Sequence, residues 1–353
     1  MDLEELRTNI RETDDEIMEL IKKRTDIAEK VGRYKIAKEL PIRNTEVEEK
    51  NIVRYREFAE NNQLNPDMME TVFRAIIQEA VEKEASIPHP DTFLKNIAII
   101  GGAGKMGKWM CEILSKTGHK ITIIDSSLQN GSTIEDAKFA DIVIVSIPIS
   151  AVNEVMMKLE KCCSDETLIF DLSSLKTPAS ATLKRMAKTK NVCSVHPMFG
   201  PSARSMYDQN MIICDCGNPK AVEEVTKLLD NKGANIRIMD LDSHDKYMSY
   251  VLGLSHAINI AFFTALQRSN ISFRDMNSVA STTFKKIMDT NKSVALEDPK
   301  LYYEIQHINA NRDALWDTFS KAVEDLKKAS LDQDPAKFIE LMNLGKTYFD
   351  ADI

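Results

Sequence analysis

The stretch Ile97-Ala-Ile-Ile-Gly-Gly-Ala-Gly-Lys-Met-Gly107 places a glycine-rich loop directly after a short apolar run. The apolar run predicts a buried β-strand, and the residues after the loop have helical periodicity. A second apolar run, residues 120–124, is followed by Asp125. A glycine loop between a strand and a helix, with an acidic residue after the next strand, is typical of a dinucleotide-binding βαβ unit.

The loop residues suit a bound pyrophosphate. We expect Gly102 to permit a tight turn, Gly104 to let the backbone approach the phosphates, and Gly107 to let the helix pack closely on the strand. Asp125 should bind the adenosine ribose diol, and because two serines rather than an arginine follow it, NAD is favoured over NADP. The alternative is that Asp125 is only a strand-end residue. The predicted cofactor-binding residues are Gly102, Gly104, Lys105, Met106, Gly107, Asp125, Ser146 and Pro148.

Short β-rich runs alternate with helical stretches over the middle of the chain. This alternation predicts βαβ units and a mainly parallel sheet, and ligands bind such sheets at the carboxyl ends of the strands. The predicted strands are residues 97–100, 120–124, 142–147, 167–170, 191–195, 211–214 and 236–238.

Both ends of the chain have the pattern of helices without strands. In residues 1–86, Asn44-Thr45 and Asn65-Pro66 supply helix starts, so three helices are predicted. After about Asp242 long apolar-periodic segments continue nearly to the C-terminus. We predict three domains: an all-α three-helix domain over residues 1–88, an α/β Rossmann-type parallel-sheet domain over 95–242, and an all-α domain over 243–353.

Length and composition restrict the function. The 353 residues carry a net charge of -8, which argues against a nucleic-acid binder and fits an enzyme of small molecules. Because the chain begins with an acidic amphipathic helix and no apolar stretch approaches about 18 residues, we expect a cytoplasmic protein without a membrane segment. The six cysteines lack zinc-ligand spacing, so no metal site is expected.

Apolar residues recur every seven positions from Leu3 to Val31, which predicts a packing seam on one long helix. Arg24 occupies the same register, where a cation needs an anionic partner. That partner is either an internal acid, with Arg7 and Lys35 solvated, or an anionic ligand. Lys35 lies three turns beyond Arg24 and points the same way, but Arg7 is about 42 Å from Lys35 along the helix. Arg7 and Lys35 could therefore bind one ligand only in a site shared between subunits.

The N-terminal helices contain a set of short segments with a distinctive order and spacing. They are Leu6-Arg7, Asp14-Asp15, Arg24, Val31-Gly-Arg-Tyr-Lys35, Pro41-Ile-Arg43 and Ile76-Ile-Gln-Glu79. In these segments residues 1–86 resemble the all-helical chorismate mutases. The resemblance implies that Arg24 and Arg7 of the partner subunit hold the two substrate carboxylates, that Lys35 contacts a carboxylate and the ether oxygen, and that Glu48 binds the ring hydroxyl.

Several positions differ from the common pattern of that family or have a second interpretation. Asn44 stands where aspartate is common, and we expect it to contact substrate, whereas Val47 and Ala80 replace an arginine and a serine. Glu48 also belongs to the capping-box pattern Thr45-x-x-Glu48, which would give it a structural role instead. By resemblance, Glu84 occupies the position of the group that donates to the ether oxygen, so it has to be protonated during turnover.

Polar motifs follow several predicted strands and helices of the remaining chain. Any one of their histidines, taken alone, is more often structural than catalytic. The motifs are Asp171-Leu-Ser-Ser-Leu-Lys176, Val195-His-Pro-Met-Phe-Gly-Pro201, His244-Asp245 and Leu254-Ser-His256. Together and in this order, they resemble the prephenate dehydrogenases over residues 95–350.

This second resemblance implies hydride transfer from prephenate to NAD with loss of carbon dioxide and aromatisation. It implies that His196 accepts a hydrogen bond from the 4-hydroxyl and polarises it, and that Ser174 and Lys176 position that group. His256 is expected to contact substrate. The family's usual arginine for the ring carboxylate is replaced by Ser293. We therefore expect Lys292 or Arg312 to bind that carboxylate instead. The C-terminal helices are expected to form a dimer interface.

The resulting hypothesis is a homodimeric bifunctional enzyme of tyrosine biosynthesis. It would rearrange chorismate to prephenate and then convert prephenate to 4-hydroxyphenylpyruvate with NAD. The alternative is an arogenate dehydrogenase whose helical N-terminal module only regulates or dimerises.

Overall fold

A computed structural model describes residues 2–38, 40–87, 94–128, 132–230 and 232–350. Two compact units divide the chain: Met1–Ser174 with Ala179–Leu241, and Leu175–Pro178 with Asp242–Ile353. The first unit contains both the N-terminal helices and the sheet. The predicted domain end at residue 88 lies outside the described residues.

Three helices form the N-terminal part: α1 (Leu3–Ala37), α2 (Thr45–Asn61) and α3 (Pro66–Ala85). Both predicted helix starts are confirmed. The Asn44 side chain accepts a hydrogen bond from the Val47 amide, and Asn65 caps α3 with Pro66 in its first turn. Because Asn44 rather than Thr45 is the N-cap, the capping-box interpretation of Glu48 is wrong.

Helix α1 buries little of its apolar seam within one chain. Of its residues only Ala28 and Gly32 are buried, whereas Leu3, Ile10 and Leu20 are 63%, 61% and 64% exposed. The seam predicted from the seven-residue spacing is therefore present on the helix, but this chain does not cover it.

A sheet in the order β2-β1-β3-β4-β5-β6-β7 forms the centre of the first unit, and every predicted strand is confirmed to within a few residues at its ends. All neighbouring strands are parallel except β5 and β6. The central strands are continuous apolar runs because both faces of such a sheet are covered. The strands are β1 (Asn96–Ile100), β2 (Lys120–Ile124), β3 (Ile142–Val145), β4 (Leu168–Asp171), β5 (Val192–Pro197), β6 (Asn210–Asp215) and β7 (Asn235–Asp240).

Four α-helices connect these strands, and the core between helices and sheet is aliphatic. Met110 and Leu114 of the first of them are fully buried with Ile97, Ile144 and Phe170 of the strands. The four helices are α4 (Lys105–Ser115), α5 (Ile149–Cys162), α6 (Ser180–Met186) and α7 (Pro219–Asp230).

The second unit contains helices and no strand among its described residues, as predicted. Its first two helices are joined by a π-helical turn, Ser249–Leu254, so that they form one continuous helical stretch. The helices are α8 (Leu241–Met248), α9 (Ser255–Arg268), α10 (Phe273–Ser278), α11 (Thr282–Ala295), α12 (Pro299–Ile308), α13 (Arg312–Leu331) and α14 (Ala336–Asp350).

Candidate active sites

The glycine-rich loop joins β1 to the start of α4. Gly101 has φ of +77°, and a Cβ atom on Gly107 would lie 2.2 Å from the Gly101 carbonyl oxygen. The left-handed conformation is thus at Gly101. Gly102 is the second residue of the tight turn that the Gly104 amide closes on the Gly101 carbonyl oxygen at 3.0 Å, as predicted. Gly104 caps α4 without a side-chain acceptor, which leaves the first amides of the helix available to an anion. The loop fits a pyrophosphate.

Asp125 lies beside this loop, directly after β2. Its carboxylate accepts hydrogen bonds from the Ala103 amide at 3.0 Å and from the Ser127 amide and hydroxyl at 2.9 and 2.7 Å. Burial would raise the pKa of Asp125, but these hydrogen bonds hold it below its usual value. The carboxylate is therefore ionised and hydrogen-bonded to the loop. Asp125 thus also has a structural role, as expected if it were only a strand-end residue.

The other predicted cofactor residues surround the loop. Lys105 and Met106 form the first turn of α4, and Pro148 precedes α5. The Ser146 amide donates to the Ile100 carbonyl at 2.8 Å. These residues therefore lie at the carboxyl ends of β1 and β3, where dinucleotides bind in such folds.

His196 lies near the end of β5 and is 3% exposed. On the neighbouring strand, Asp171 accepts hydrogen bonds from the Ser194 hydroxyl at 2.5 Å and from the Ser173 amide at 2.9 Å. Asp171 therefore fixes the turn that leads to Ser174. Sequence reasoning assigned no role to Asp171, although an acidic residue ending a buried strand was a usable signal.

In the second unit, Asp245 organises the segment that contains Lys176. Its carboxylate accepts from the Lys176 and Thr177 amides, each at 2.8 Å, and lies 2.7 Å from Nδ1 of His244. Burial would raise the pKa of Asp245, but the hydrogen bonds from His244 and Thr177 lower it. Lys176 is 1% exposed. The His244-Asp245 motif thus holds the main chain at Lys176.

The remaining predicted substrate residues of this unit differ in their surroundings. The His256 ring stacks on Tyr302 with centroids 4.2 Å apart, and burial lowers the pKa of His256 to about 4, so it is neutral at pH 7. Lys292 is exposed. Arg312 lies 3.5 Å from Asp313. Which of the two cations binds the ring carboxylate stays a prediction.

The N-terminal helices bring Arg24, Lys35 and Glu84 together. The Lys35 ammonium donates to Glu84 at 2.8 Å and to the Ile42 carbonyl at 2.5 Å. Arg24 donates to the Ile76 carbonyl at 3.2 Å, and no described acid forms an ion pair with it. Burial raises the pKa of Glu84, although Lys35 and Arg24 act in the opposite direction. This arrangement favours the anionic-ligand interpretation of Arg24.

Glu48 lies 9% exposed at the border between α2 and the sheet. Its carboxylate accepts from Arg43 at 3.1 Å and from the Tyr207 hydroxyl at 3.3 Å. Burial and the charge of Glu48 raise the pKa of Tyr207 to about 12, so the phenol keeps its proton and donates. Sequence reasoning missed Tyr207, because nothing local links positions 159 residues apart.

Tyr207 belongs to a segment that we call the clamp loop, residues 200–209, which follows the His-Pro-Met-Phe motif. Arg204 of this loop contacts Glu79 at 2.5 Å and Glu82 at 2.8 Å, and Ser205 donates to Glu82 at 2.8 Å. The clamp loop therefore attaches the sheet to α3 as well as to Glu48.

Two predicted residues of the N-terminal site already have partners of their own in the chain. Arg7 pairs with Glu4 at 2.6 Å near the start of α1, and its side chain is 58% exposed. Asn44 uses its side chain to cap α2. As the helix length predicted, a single chain does not bring Arg7 to Lys35.

Comparisons with known proteins match three successive parts of the chain. The chorismate mutase type II family matches residues 6–85, the prephenate dehydrogenase nucleotide-binding domain residues 112–238, and the prephenate dehydrogenase dimerization domain residues 240–344. The T-protein of Haemophilus influenzae is 27% identical over 350 residues, covering 98% of this chain and 92% of the relative.

Solved structures share the fold of the sheet and the C-terminal helices. The prephenate dehydrogenase of Aquifex aeolicus, in complex with hydroxyphenyl propionate and NAD⁺, has a TM-score of 0.59 at 20% identity and covers 75% of this chain and 100% of its own. Synechocystis arogenate dehydrogenase has a TM-score of 0.55 at 17% identity, covering 73% and 99%.

A helical mutase fused to a nucleotide-dependent dehydrogenase is the class of protein that these domains define. The chain belongs to the family of bifunctional chorismate mutase/prephenate dehydrogenases. It is an enzyme of tyrosine biosynthesis that rearranges chorismate to prephenate and oxidises prephenate with decarboxylation, using NAD.

One helical stretch, Leu241–Arg268, is long and apolar enough to cross a membrane by length and composition alone. No stretch of this kind was expected from the sequence, because serine, histidine and asparagine residues interrupt the apolar run. The stretch lies in the part matched by the dimerization domain.

Proposed function

We propose that Arg24, Lys35 and Glu84 carry out the mutase reaction together with Arg7 of the partner subunit. The two arginines would hold the substrate carboxylates, and Lys35 and Glu84 would donate to the ether oxygen. Glu48 would bind the ring hydroxyl. No nucleophile is needed, because the site restricts chorismate to its reactive pseudo-diaxial form and stabilises the negative charge that develops on the ether oxygen.

The observation that supports this assignment most directly is the ion pair between partly buried Lys35 and buried Glu84, with Arg24 near Glu84. The raised pKa of Glu84 favours the protonated carboxyl that this role needs. Arg24 has no described acid as an ion-pair partner, so a substrate carboxylate would satisfy it. Asn44, at the start of α2, would complete the polar wall.

For the dehydrogenase we propose His196 as the base. One of its imidazole nitrogens would accept the proton of the prephenate 4-hydroxyl, while Ser174 and Lys176 position that hydroxyl. When bound, NAD accepts the hydride from the ring carbon. His256, neutral at pH 7, would line the substrate site, and Lys292 or Arg312 would bind the ring carboxylate.

A pair of variants tests both assignments in one assay. With chorismate and NAD, the wild type should produce NADH. Arg24→Met should produce NADH from prephenate but not from chorismate, whereas His196→Asn should convert chorismate to prephenate and stop there. If Arg24→Met still turns over chorismate at the wild-type rate, the mutase assignment fails. If His196→Asn still produces NADH at the wild-type rate, the base assignment fails.

The same assay decides between prephenate and arogenate. We expect a larger kcat/KM with prephenate, and faster NADH production from arogenate would favour the alternative.

We also propose that the enzyme is cytoplasmic and that it is a homodimer. The homodimer is proposed because the seam of α1 is exposed and the chain carries a dimerization domain. Sedimentation at several concentrations measures the oligomer.

A further inference from the structure

A cavity of about 970 Å³ lies at the amino ends of the strands, on the side of the sheet away from the glycine-rich loop. Four of its lining residues directly precede strands β1, β2, β3 and β4: Lys95, His119, Asp141 and Thr167. Strands β1 to β4 are parallel, so the cavity borders their amino ends, whereas the proposed dinucleotide site borders their carboxyl ends. It is therefore separate from that site.

Cations outnumber acids in the cavity wall. The three lining acids already have partners: Asp141 accepts from the Asn96 amide at 2.8 Å, Glu166 from Lys220 at 2.5 Å, and Glu224 from an asparagine amide at 2.9 Å. The lining lysines are Lys95, Lys138, Lys220, Lys227 and Lys232.

Lys232 is the unusual member of this group. It is 4% exposed, and its ammonium has no hydrogen-bond acceptor in the part of the chain that the structure describes. Burial lowers the pKa of Lys232 to about 8, so most of the group is still charged at pH 7. A buried charge without a partner costs free energy, and native structures rarely retain one unless something pairs with it.

We propose that this cavity binds a small organic oxyanion, whose phosphate or carboxylate group pairs with Lys232. The flexible four-carbon stem of lysine lets the ammonium turn to such a group. Leu40, Pro41 and Phe139 supply an apolar wall for the body of the ligand. The volume is in the range of small-molecule sites, about 300–1,000 Å³.

The experiment compares the full-length wild type with Lys232→Met, which keeps the apolar stem and removes the charge. Lys116→Met is the matched control, because Lys116 is the C-cap of α4, does not line the cavity, and has a side chain that is 47% exposed. Each protein, saturated with NADH, is titrated calorimetrically at pH 7 with phenyl phosphate and, separately, with phenylacetate. We expect the wild type and Lys116→Met to share one binding event. In Lys232→Met the affinity of that event should be at least tenfold lower. The probe that binds more tightly identifies the phosphate or carboxylate class.

Binding that is the same in all three proteins would overturn the proposal, and so would the absence of binding to the wild type. Thermal melting without a probe provides a second measurement. Lys232→Met should melt no lower than the wild type, because it removes an unpaired charge; a lower melting temperature would show that the ammonium already has a structural partner. Neither proposed catalytic site contains Lys232, so failure here leaves both of them intact.

Discussion

Replacing Glu84 by glutamine tests the protonation that the mutase site requires. Glu84 is buried against α1: a Cβ atom on Gly32 would lie 2.9 Å from its Cγ atom. The carboxyl can donate to the ether oxygen only while it holds a proton, whereas the amide of Glu84→Gln donates at every pH. Mutase activity of the wild type should therefore fall as pH rises through the raised pKa of Glu84, and that of the variant should not.

The magnitude follows from titration and hydrogen bonding. Above the pKa, each pH unit lowers the protonated fraction tenfold, about 1.4 kcal/mol of transition-state stabilisation. The fold should survive, because Lys35 keeps its bond to the Ile42 carbonyl and exchanges a charged acceptor for a neutral one, which costs about 1 kcal/mol. Since the folded pKa lies above 4.5, wild-type stability should fall as pH rises from 4.5 to that folded value, and Glu84→Gln should lack this fall.

The assay is the pH dependence of kcat/KM for chorismate disappearance, with urea unfolding at each pH as the stability measurement. Glu60→Gln is the control, because Glu60 is an exposed acid of α2 and should leave the profile unchanged. Equal alkaline slopes for the wild type and Glu84→Gln would refute the reasoning. A wild-type profile that is flat throughout would refute it as well.

Three further changes separate the two reactions. His196→Asn should lower dehydrogenase kcat/KM by roughly a hundredfold to ten-thousandfold, with unchanged NADH binding by fluorescence; lost NADH binding would point to a structural role instead. Asp125→Ser should raise the KM for NAD about tenfold or more and reduce the preference over NADP, and an unchanged ratio of the two kcat/KM values would contradict a ribose contact. Tyr207→Phe removes the 3.3 Å hydrogen bond to Glu48 and should lower mutase kcat/KM about fivefold, roughly 1 kcal/mol, without changing the dehydrogenase; equal loss in both reactions would indicate a general effect on the fold.

Local signals predicted the elements well. The strands and both asparagine caps depend on residues within a few positions of one another, so hydrophobic periodicity and capping chemistry were sufficient. The requirement for glycine at position 101 was not predicted, because it depends on how closely the neighbouring strand approaches: a Cβ there would lie 2.1 Å from the Ser146 carbonyl oxygen. The contact between Glu48 and Tyr207 could not be predicted, because the two residues are 159 positions apart and are brought together only by the folded sheet.

The clamp loop connects the residues proposed for the two reactions. It begins three residues after the end of β5, the strand that carries His196, and it ends beside Glu48. Its contacts with Glu82 and Glu48 are hydrogen bonds to carboxylates whose side chains are 12% and 11% exposed, and such bonds restrict the loop more than exposed ion pairs such as Arg204–Glu79 do. Because the clamp loop is hydrogen-bonded to Glu82 of α3 and to Glu48 of α2, the N-terminal helices hold the segment that follows β5. For the same reason, Glu48 has its Tyr207 contact only where the helical and sheet parts of the chain are both present.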